Sequence, residues 1–155
     1  MPTKLFDMKK FLIVLLFFIN CLYVLLQSIN FNEFDNEKLN QLVFSTLSTY
    51  NNYSHIDSFP EEEKILGFIE KNCDKLLSDT LISKINANIL KDPNIAIFDR
   101  VPCIGVQKYE DIVKKCFYDW DNPSDMFFIR TGKNVAIITY YSKKTNTVYI
   151  CCVLN

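Results

Sequence analysis

The sequence has little of what catalytic and metal sites need. It holds a single histidine, His55, and its cysteines form no CxxC pair. Structural zinc sites use closely spaced Cys and His ligands, so no metal is expected. A nucleophilic triad needs a base beside its nucleophile. The one imidazole lies in an expected loop, which suits a surface histidine better than a catalytic one. Three glycines and five prolines leave no room for low-complexity segments. No internal repeat and no basic stripe is found, which disfavours nucleic acid as a partner and an electrostatic membrane patch. No cofactor is expected.

What is present is globular. About half of the residues are hydrophobic, with 13 Phe and 8 Tyr, and under a quarter are charged. Such a chain buries enough apolar surface to offset its ordering entropy, and its length fits one domain. The first residues read differently. Lys4, Lys9 and Lys10 precede an apolar run, Phe11 to Leu26, broken only by Asn20 and Cys21. This is the pattern of a signal peptide, residues 1–28, with cleavage expected after Ser28. At about 1.5 Å per residue the run spans roughly 24 Å, short of the roughly 30 Å hydrocarbon core. Secretion is therefore expected in preference to an uncleaved anchor. Cleavage would remove three Lys and one Asp, leaving 14 basic and 17 acidic residues, a formal charge of −3.

Export gives the cysteines meaning. Cys73, Cys103, Cys116, Cys151 and Cys152 remain, and an oxidising compartment favours pairing. Five cannot all pair, so at least one is free or intermolecular. Asn52, in the sequon NYS, is a glycosylation candidate and should sit on an exposed loop.

Residues 29–57 form an N-terminal extension in which Leu39, Leu42, Val43, Leu47 and Tyr50 favour a helix. In "SFPEEEKILGFIEKN", Ser58 and Glu61 are spaced as a capping box. Glu61, Glu62 and Glu63 favour the positive end of the helix dipole, so this acidic run reads as a helix start, not a paired-carboxylate site. "SDTLISKINANILKD" predicts a second helix ended by Pro93, followed by a short extended piece, "NIAIF", and a loop, "DRVPCIG". "YEDIVKKCFYDW" predicts a third, with Ile112, Val113, Cys116, Phe117 and Trp120 on one stripe. Asn122-Pro123 stops it.

The chain ends in an expected hairpin, "NVAIITYYSKKTNTVYICCVLN". Both faces of both strands are apolar, whereas a sheet wet on one side alternates cleanly. Helices must then cover both sides, which gives an α+β, three-layer αβα sandwich with a small antiparallel sheet. Adjacent Cys151 and Cys152 must point into different layers, where bridging to Cys73, Cys103 or Cys116 is expected over a redox pair.

The stretch from Phe59 to Val153 resembles the CAP superfamily of cysteine-rich secretory, antigen 5 and pathogenesis-related proteins. "DKLLSDTLISKINANIL", "YEDIVKKCFYDWDNPSDMF" and "IRTGKNVAIITYYSKKTNTVYICCVLN" look like that family's successive segments. The resemblance implies an exported, disulfide-stapled αβα domain over residues 58–155 that binds a lipid, sterol or protein partner, with no stable membrane association after cleavage. Ile129 and Ala136 stand where the family has Trp and Gly. The family's cation pocket needs two histidines, so no site residue carries over, and Trp120 is expected to fill the cleft. The resulting expectation is a non-enzymatic binding protein. The alternative is another small secreted α+β protein, such as a cystatin-like protease inhibitor with one helix on its sheet.

Overall fold

A computed structural model of the protein describes residues 3–26, 34–106 and 108–155. Among them run α1 (Thr3–Leu26), α2 (Asn36–Leu47), β1 (Ser54–His55), α3 (Glu62–Asn72), α4 (Ser78–Asn88), β2 (Ile95–Pro102), α5 (Tyr109–Asp119), α6 (Pro123–Thr131), β3 (Asn134–Ser142) and β4 (Thr147–Leu154). The sheet order is β1-β3-β4-β2. β4 lies between β3 and β2, antiparallel to both, and β1 joins the far side of β3 in parallel. The antiparallel sheet thus carries one short parallel edge.

All eight residues of β4 are buried. Strand alternation sends Val148, Ile150, Cys152 and Leu154 into a core with α2, α5 and α6, and Tyr149, Cys151 and Val153 into a second core with α3 and α4. The fold is α+β, and the three-layer sandwich follows from this two-faced hairpin. A four-residue turn joins β3 to β4, with Asn146 at φ 47°. Asn tolerates that left-handed conformation better than most residues.

Several expected boundaries change. Residues 34–57 are part of the domain and no mere extension. Leu39, Val43 and Leu47 are fully buried, the Tyr53 hydroxyl donates to the Ile129 carbonyl, and Asn51 donates to Gly132 O at 2.6 Å. The capping box at Ser58 does not form. Phe59 is buried in the second core, a turn from Glu62 N–H to Phe59 O follows it, and Glu61 becomes the N-cap without a side-chain bond. The second predicted helix closes at Asn88, before Pro93.

"DRVP" is not loop but the second half of β2, in register with β4 as far as Pro102 and Thr147. Proline is tolerated there because β2 is an edge strand. Asn122 ends one helix and also starts the next. Its Oδ1 accepts from Ser124 N–H at 3.1 Å and Asp125 N–H at 3.0 Å, its Nδ2 donates to Asp125 Oδ2 at 2.7 Å, and Pro123 takes the first helical position.

α1 is apolar, and its side chains from Phe11 to Leu22 are exposed. Among the described residues no helix is long and apolar enough to cross a membrane. The expected cleavage point after Ser28 lies outside the described residues.

Candidate functional site

A cavity of about 540 Å³ forms a groove between β2 and α5. Its floor comes from Val101 and Pro102 on β2 and from Val106 in the following loop. Gly105 shapes that loop at φ 71°, a conformation that a side chain would strain. The walls carry Arg100 from β2, and Asp111, Lys114, Lys115, Tyr118 and Asp119 from the outer face of α5. Helical spacing stacks Asp111 on Lys115 and Lys114 on Tyr118. Tyr118 is 81% exposed.

Beneath α5 the polar groups are strained for partners. Asp99 points to this side of the sheet. Its Oδ1 accepts from Arg100 N–H at 2.6 Å, while Oδ2 is buried with no hydrogen-bond partner among the described residues. Burial pushes the carboxyl up to about 6, and the charges of Asp119 and Asp125 act in the same direction. Trp120 is 2% exposed and packs edge-to-face on Phe117 at 5.1 Å. Its Nε1 has no hydrogen-bond partner among the described residues. Trp120 lies in the core and is not among the groove walls.

Among the described residues all six cysteines carry free thiols, so the expected disulfides are not formed. Alternation divides the five later cysteines between layers, Cys73 with Cys151 and Cys103, Cys116 with Cys152. Each is buried as a small apolar residue. Burial pushes Cys103 up to about 11 and Cys151 to about 12, raises Cys73, and lifts Cys116 and Cys152 well above the ordinary thiol value. The thiolate needed for exchange is disfavoured at such sites. Cys73 Sγ lies 3.5 Å from Asp74 Oδ1, and Cys103 Sγ 3.5 Å from Val101 O.

Asn52 is exposed in the loop before β1. His55 follows at the other edge of the sheet, its Nδ1 3.0 Å from Asp57 Oδ1 and its ring 4.9 Å from Phe44. The Asp57 side chain is 93% exposed, so this pair is a solvated surface contact. Among the described residues no group of three or more His, Cys, Asp or Glu could hold a metal ion.

The sequence reading missed the groove. Lys114, Lys115, Asp111 and Tyr118 show as the polar face of an amphipathic helix, which marks exposure only. Nothing local says that β2 would run beside them. Comparison with family models, with curated proteins and with solved structures finds no match. The class of this protein rests on its architecture, a three-layer αβα sandwich.

Proposed function

We propose that this protein is a secreted, non-enzymatic binding protein that takes an amphipathic ligand with an acidic head, of the lipid class, in the groove between β2 and α5. The observation that carries this reading is the make-up of the groove. Two cations on α5, Lys114 and Lys115, stand over an apolar floor, and the walls contain no serine, cysteine or histidine. A carboxylate or phosphate head would meet charge-assisted donors, and an apolar tail would cover Val101, Pro102 and Val106. The two wall carboxylates, Asp111 and Asp119, stand about 12 Å apart along the helix axis, too far to share one scissile bond.

Export with loss of residues 1–28, a CAP-like relationship and glycosylation at Asn52 belong to the same proposal. The exposed apolar side chains of α1 support the first, and the exposure of Asn52 supports the last. Helices on both sheet faces favour the sandwich class over the cystatin-like alternative, in which one helix covers one face.

Trp120 is the sole tryptophan and lies beneath α5, so its fluorescence serves as the probe. Titration with oleate should give a saturable change at micromolar concentration. Lys114→Glu with Lys115→Glu should weaken oleate about tenfold or more, while uncharged cholesterol should be indifferent to both changes. Absence of saturable binding by oleate would refute the reading.

A further inference from the structure

Where β1 leaves the sheet, β3 continues without a neighbour. Ser54 N–H donates to Lys133 O and Ile56 N–H to Val135 O, each at 2.9 Å, and the chain then departs towards α3. These bonds show that odd-numbered residues of β3 turn their backbone groups outward, while even-numbered ones face β4. Ile137 and Thr139, 6% and 5% exposed, therefore turn their N–H and C=O groups away from β4, and among the described residues no backbone hydrogen bond reaches those groups.

A cavity of about 330 Å³ opens at this edge, reaching Ala136 and Ile137. α2 forms one wall, and the segment from His55 to Glu62 the other. Glu37, Asp57 and Glu62 line it, with no lysine or arginine, and His55 already faces Asp57. The combination is a strand edge that offers main-chain bonds inside an acidic groove.

We propose that this groove docks an extended, basic segment of a partner protein, which adds as a strand beside β3 in the line that β1 vacates. Main-chain bonds to Ile137 and Thr139 hold the added strand, and alternate Lys or Arg side chains meet Glu37 on one side and Glu62 on the other. Acidic ligands are repelled. A second copy of this chain would set the same carboxylates against each other, so it is not the occupant. This site lies across the sheet from the β2–α5 groove and does not depend on the lipid reading.

The test uses the full chain and three synthetic twelve-residue peptides: one repeating Lys-Lys-Val-Val, which places Lys on both faces of a strand, one repeating Glu-Glu-Val-Val, and the Lys peptide N-methylated at alternate amides. In the free protein the amide protons of Ile137 and Thr139 should exchange rapidly, and the Lys peptide should slow them about tenfold or more. The Glu and N-methylated peptides should each bind about tenfold more weakly. Glu37→Lys with Glu62→Lys should reverse the preference between the Lys and Glu peptides. The proposal is overturned by protection of both amides in the free protein, by equal affinity for the N-methylated peptide, by an unreversed preference in the double variant, by concentration-dependent protection without peptide, or by no binding at millimolar peptide.

Discussion

Along β2, three of the four outward-facing positions, all but Phe98, are each closed by a different device, whereas along β3 the backbone beyond Val135 is left open. Ala96 N–H donates to Asn86 Oδ1 at 2.9 Å, and Asn86 Nδ2 donates back to Ala96 O at 3.5 Å. Arg100 N–H is taken by Asp99. Pro102 has no N–H to offer. A free edge invites pairing with other chains, and proteins blunt such edges with short local devices. The closed edge carries a cost here, because Asp99 is drawn into a site that disfavours its charge. The open edge lies instead beside three carboxylates, where selectivity can come from charge.

The largest expected effect lies on the closed side. Trp120→Ala removes the largest fully buried side chain beneath α5 and should cost about 3–5 kcal/mol, read by chemical denaturation. A loss under about 1 kcal/mol would mean that the core beside β2 does not depend on it.

Asp99→Asn should act in the opposite direction. The folded carboxyl titrates at about 6, above its ordinary 3.8, so the folded state holds the proton more tightly than the unfolded chain. Stability is then greatest below about pH 4, falls as pH rises through about 4 to 6, and stays lower above. The amide keeps an acceptor for Arg100 N–H and carries no charge. It should raise stability by on the order of 2 kcal/mol at pH 7.5 and change little at pH 3.5. Denaturation at the two pH values checks this, and an equal effect at both would show that charge burial is not the cause.

Asn86→Ala should cost about 1–2 kcal/mol by leaving Ala96 unpaired, and it should also promote self-association through β2. Sedimentation velocity of the variant against the parent decides whether the device closes the edge. The smallest effect belongs to the open side. Thr139 Oγ1 donates to Asn40 Oδ1 at 2.9 Å, tying α2 to β3. Thr139→Val should cost about 1 kcal/mol and leave the oligomeric state unchanged, since the outward backbone is untouched.

Elements with a strong local period were legible. The stripe Ile112, Val113, Cys116, Phe117 marks α5 unambiguously, and the two-faced apolar run in β3 and β4 dictates cover on both sides, because a strand buried on both faces cannot tolerate water on either. The division of Cys151 from Cys152 follows from the same alternation. Less local signals misled. Asn122-Pro123 reads as a stop, yet Asn is also an N-cap and Pro a favoured first residue, so the same pair starts α6.

Pairing across the sheet was beyond local reading altogether. "DRVP" becomes strand only because β4 offers it a partner along its whole length. The basic face of α5 becomes a groove wall only when β2 lies beside it. Which edge is closed and which stays open depends on Asn86 meeting Ala96 and on β1 stopping at His55. Periodicity is a property of neighbours along the chain and survives in the sequence. Edges and grooves are made by contacts between distant residues, and only the assembled sheet brings those together.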